Sequence, residues 1–66
     1  EATPAFRAAA RRDDGPGSPR MPTTYPDPES VLQEYYAESF ALYRTSPDLL
    51  RRIRPNVFAY FESESA

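Results

Sequence analysis

The residues of this chain able to do chemistry are its acids and its tyrosines, because histidine and cysteine are both absent from all 66 positions. Without histidine, the commonest general base and metal ligand near neutral pH is missing. Without cysteine there is neither a disulfide framework nor a thiolate zinc site. Glu34 and Glu38 stand four residues apart in a stretch of helical character, so a helix carries both carboxylates on one side. Such a pair is either a solvated face or a set of oxygen donors, and spacing does not separate the two. Arg51, Arg52 and Arg54 form a short basic cluster. It follows a helix whose C-terminal end favours positive charge, which is a simpler account than a grip on carboxylate or phosphate.

A helix has to position the two glutamates, and its start is clearly written. Asp27 is a cap residue, Pro28 suits the first helical position, Glu29 complements the positive end and an apolar run follows. This predicts a helix over about residues 28–44. At about 100° per residue, Val31, Leu32, Tyr35, Tyr36, Ser39, Phe40, Leu42 and Tyr43 sweep out half of its circumference, a face wide enough for a core. The tyrosines and phenylalanines at this spacing are read as packing. Ala37 and Ala41 lie beside Glu34 on the remaining arc, where small residues let a second helix come close.

Ser46, Pro47 and Asp48 repeat the cap, proline and acid pattern and start a short helix through Leu49, Leu50 and Ile53 that Pro55 stops. A final helical turn or two is expected from a cap at Asn56, with Val57, Phe58 and Phe61 folding back before a polar tail over 62–66. Residues 1–26 read as an arm or linker. Thr3 and Pro4 offer the start of a short helix over 3–12, with too few apolar residues to hold it, and prolines and glycines dominate from there to Asp27. The expected fold is all-α: one long helix and one or two short ones after an extended Pro-rich arm, together completing a larger domain.

The run Glu34, Tyr35, Tyr36, Ala37, Glu38, Ser39, Phe40 resembles the Glu-aromatic-aromatic-Ala-Glu-small-Phe helix of zinc metallopeptidases related to anthrax lethal factor. The similarity continues through Leu42, Tyr43, Arg44 and Pro47 to Asn56 and Phe61 and leaves the first 24 residues uncovered. The resemblance implies that Glu34 is the third protein ligand of a Zn2+ ion and that Glu38 is a supporting residue outside the metal's own shell. It also implies that Tyr25, nine residues before Glu34, donates a hydrogen bond to the transition state. In that family two histidines of a His-Glu-x-x-His helix complete the site. This chain has none, so the remainder of the parent protein or a larger subunit has to supply them, and the chain is not an enzyme alone. The alternatives are a non-catalytic helical interaction module and a degenerate scaffold segment of a toxin or effector.

Eight arginines against ten acids leave the charge nearly balanced and scattered, with no basic stripe to follow a phosphate backbone, so nucleic acid is not an expected partner. No apolar run approaches the roughly 20 residues of a membrane span. The compartment stays open, a secreted or delivered effector among the alternatives. Every aromatic residue except Phe6, and every Val, Leu and Ile, lies from Tyr25 onward. A core drawn from that part alone struggles against the entropy of ordering the chain, so a partner surface is expected. The first residue is Glu1 rather than Met, which suggests a trimmed or cleaved chain.

Overall fold

The computed structural model describes residues 3–15 and 28–65. They form four helices: α1 (Pro4–Asp13), α2 (Pro28–Thr45), α3 (Pro47–Ile53) and α4 (Pro55–Ser65). Each opens on a proline, whose missing N–H costs nothing in the first turn and whose fixed φ suits the helix. Among the described residues there is no strand, in line with the all-α reading. No helix among them is long and apolar enough to cross a membrane.

In α1, Thr3 caps as its type suggests, its Oγ1 accepting from the Phe6 amide at 3.1 Å. The same oxygen lies 2.9 Å from Tyr60 Oη, which ties the cap to α4. Few apolar residues are present, yet Phe6, Ala9 and Ala10 are all buried. Phe6 meets Tyr36 edge-on with ring centroids 4.8 Å apart, meets Tyr60 at 5.5 Å, and touches Tyr35 and Phe61 at 6.0 Å. One aromatic on a helix of alanines therefore acts as the plug of the core, and the alanines let α1 lie close along α4. The sequence offered no apolar stripe to announce this.

The rest of the core comes from Leu32 and Tyr35 of α2, Leu50 of α3, and Val57 and Phe61 of α4. Tyr36, Tyr43 and Phe58 pack partly buried against it. Phe40 packs its ring against Tyr36 and Phe61 at 6.3 and 5.7 Å while standing 40% exposed, and Leu49 is 42% exposed.

Two expected caps are corrected. Ser46 precedes α3, but its hydroxyl makes no cap hydrogen bond; only its carbonyl serves, accepting from the Leu50 amide at 3.1 Å. Asn56 lies inside α4 rather than ahead of it, and the cap is Asp13 of α1. Its carboxylate accepts from the Asn56 amide at 3.1 Å, the Val57 amide at 2.8 Å and Asn56 Nδ2 at 2.8 Å. The final helix is also longer than a turn or two. It runs to Ser65, and Tyr43 Oη of α2 donates to Glu62 Oε2 at 2.7 Å, fastening the segment read as a polar tail.

Candidate functional site

The site has α2 as its base, a regular 18-residue helix that closes with Thr45 Oγ1 donating to the Ala41 carbonyl at 2.8 Å. Its buried side faces α3 and α4. Its opposite side carries Gln33, Ala37, Ala41 and Arg44, all exposed. α1, α3 and α4 make no use of the close approach that Ala37 and Ala41 permit. Glu34 is half-buried at the edge of this open side and lines a surface depression with Glu29, Ser30 and Gln33.

Glu38 belongs to a different set of contacts. Its Oε1 accepts from Arg54 Nη2 at 2.7 Å, and its side chain remains 51% exposed. The structure thus separates the two glutamates of the motif, with Glu34 at the depression and Glu38 turned to an arginine. Tyr25 lies outside the described residues.

Arg54 corrects the reading of the basic cluster. Arg51 and Arg52 are exposed, and Arg51 pairs loosely with Asp48 at 3.4 Å. Arg54, by contrast, is 2% exposed. Its backbone is held from both sides, since its amide donates to the Leu50 carbonyl at 2.7 Å and its carbonyl accepts from the Phe58 amide at 2.9 Å. From this fixed base the side chain enters the core. Nη1 donates to Ser39 Oγ at 2.7 Å, and Nε stands 3.5 Å from Asp14 Oδ2. The guanidinium carbon lies 4.0 Å from the centre of the Tyr35 ring. Tyr35 Oη in turn donates to Asp14 Oδ2 at 2.7 Å. Burying a cation is costly unless it is paired and hydrogen-bonded; α2 and the residue just past α1 together supply the pairing here, with hydrogen bonds at Nη1 and Nη2, while the buried Nε keeps its ion pair with Asp14 but makes no hydrogen bond.

Burial is the main cause that raises the Tyr35 phenol well above its ordinary range. The hydrogen bond to Asp14 and the charges of Asp14 and Asp13 push the same way, while Arg54 opposes them. Desolvation also raises Tyr36, helped by nearby Tyr60 and Glu64.

Asp13, Asp14 and Arg54 are therefore the polar residues that sequence reasoning overlooked. Two signals pointed to them. Asp13 and Asp14 end a helix where negative charge is unfavourable, so they needed positive or N–H partners elsewhere. Ser39 sits within the apolar arc of α2, where a buried hydroxyl needs a partner.

As to metal, no group of three or more His, Cys, Asp or Glu able to hold an ion occurs among the described residues. What α2 offers is an oxygen donor rather than a full coordination set. No family model, curated protein or solved structure matches the chain.

Proposed function

We propose that this chain contributes one wall of a zinc metallopeptidase site, with Glu34 as the third protein ligand and the two histidine ligands supplied by another part of the assembly. The observation that carries the reading is the placement of Glu34. It stands half-buried on a regular helix, at a surface depression, next to a side of α2 that stays exposed among the described residues. A helix-borne carboxylate is a normal zinc donor, and three protein ligands leave the open position that a catalytic site requires. The exposed Ala37 and Ala41 leave room for a histidine-bearing helix to lie against α2. Zinc, when bound, would act as a Lewis acid and lower the pKa of its water toward neutrality. The contribution of this chain is to hold one donor on a rigid helix, with Glu38 one turn further on as an outer support and Tyr25 as a hydrogen-bond donor to the transition state.

The test is Glu34→Gln in the full assembly, reading bound zinc by elemental analysis and peptide hydrolysis in parallel. The amide keeps the shape of the side chain and removes its charge. Both quantities are expected to fall, and retention of both at wild-type values refutes the assignment.

A second reading, a non-catalytic helical interaction module, draws on the exposed Phe40 and Leu49. Under it these exposed apolar side chains dock a partner through apolar contact alone. It predicts no stoichiometric zinc in the purified assembly and no response to chelators.

A further inference from the structure

We propose that the exposed side of α2 is a self-association surface, on which a second copy of this chain pairs through its own α2, antiparallel and related by a two-fold axis at the level of position 39. The inference is independent of the metal reading. It starts from the order of residues along one side of the helix. Glu34, Ala37, Ala41 and Arg44 follow one another at spacings of three, four and three, the repeat that keeps one seam of a helix facing a neighbouring helix. Ala37, Ala41 and Arg44 are exposed, and Glu34 is half-buried beside them.

Alanines alone would admit any helix at the short end of the usual interaxial distance of about 8–10 Å. The charges select the occupant. Glu34 and Arg44 are equally far from position 39, and so are Ala37 and Ala41. An antiparallel copy centred there brings Glu34 against Arg44 at both ends and alanine against alanine between them. A parallel copy in register would set like charge against like, which opposes association. Such a two-fold pair uses the same patch on both chains and closes on itself. Phe40 supplies the apolar part. It stands 40% exposed on one flank of the seam, one residue from the same midpoint, so the axis sets the two Phe40 rings side by side. The Arg44 guanidinium carbon lies 5.8 Å from the centre of this ring, which joins cation and ring in one patch. On the other flank the two copies of Glu38 approach each other, and Arg54, at 2.7 Å from each within its own chain, offsets their repulsion. Glu34 can take a partner on the second copy in addition to any it has at home, since a carboxylate accepts several hydrogen bonds. With 18 residues, α2 is about 27 Å long, so the contact is small and belongs to the weak, transient class. It occupies the side given above to a histidine-bearing helix, and self-pairing and that assembly therefore exclude each other.

Sedimentation equilibrium of the 66-residue chain, from micromolar to millimolar concentration, gives the dissociation constant, and circular dichroism melts report the folding of each variant. Wild type is expected to pass from monomer to dimer and no further. Arg44→Glu leaves only acids at the paired ends and Glu34→Arg leaves only arginines, so each should weaken the dimer by about tenfold or more. An equimolar mixture of the two restores pairing as a mixed dimer, and both reversals in one chain restore it near the wild-type value. Should Glu34→Arg not fold, Arg44→Glu and Ala41→Gln, both at exposed positions, carry the test, because a longer side chain in the seam also weakens the dimer. A wild-type chain that stays monomeric at millimolar concentration overturns the proposal and leaves the face to a different helix. A dimer that the folded Arg44→Glu variant does not weaken, or a mixture no tighter than its components, overturns it as well.

Discussion

Replacing Asp13 with alanine removes the cap of α4 without touching the sequence of α4. The carboxylate accepts from two backbone amides and one side-chain amide across a separation of more than 40 residues. A lost N-cap costs about 0.5–2 kcal/mol, and a hydrogen bond to a charged group contributes about 1.5–3 kcal/mol net. The three bonds here share one carboxylate, and the site is only part-buried, so water recovers some of what is lost. A total of about 2–3 kcal/mol is therefore expected. With a urea slope of about 1 kcal/mol per molar, at the low end for small proteins, the midpoint falls by about 2–3 M while the slope stays the same. A single core of this size rarely supplies more than about 3–5 kcal/mol, so Asp13→Ala sits near the edge of folding. Asp13→Asn keeps an acceptor oxygen and should fall between the two. Urea titration by circular dichroism measures the midpoints, and amide exchange at Asn56 and Val57 should lose protection in the alanine variant. A midpoint shift under about 0.5 M, or unchanged exchange at those two amides, would mean that water caps α4 equally well and that the reasoning is wrong.

Phe6→Ala is expected to cost about 3–5 kcal/mol, the usual range for a large aromatic deleted from a core, because Phe6 is fully buried among Tyr35, Tyr36, Tyr60 and Phe61. That matches or exceeds what so small a core supplies, so near-UV dichroism should show tertiary packing lost at room temperature, and a cooperative melt close to wild type would refute the plug role. Base should destabilise the fold through Tyr35, whose phenol is raised chiefly by burial and ionises near pH 10 when unfolded. Above about pH 10 the folded chain keeps a proton that the unfolded chain releases, so this contribution is complete below that pH and is lost as pH rises, by up to about 1.4 kcal/mol per pH unit. Phenolate absorbance during base titration should show this tyrosine ionising only as helicity collapses, and all five tyrosines ionising together near pH 10 with helicity intact would contradict it.

The helices of the second half were legible because their signals are local. Pro28 and Pro47 each stand at a helix start as read, and the helix predicted over 28–44 ends within a residue of the observed Thr45, whereas Pro55, read as a stop, also opens α4. The wide apolar arc of α2 correctly marked Leu32, Tyr35 and Ser39 as buried. Glu34 and Glu38 were legible as a pair on one side of a helix. That one would face a surface depression and the other an arginine was not, since both have the same local surroundings.

The amino-acid sequence by itself determined where α2 and α3 form and which face of α2 is apolar, because propensity and periodicity act within a few residues. The tertiary structure alone decided that α1 belongs to the core, that Asp13 caps α4 and that Arg54 is buried while Arg51 and Arg52 stay at the surface. Each of these depends on partners far apart in the chain. A carboxylate or guanidinium gains its role only from the donors and acceptors that packing brings within hydrogen-bond reach, and residue type and local order do not encode that distance.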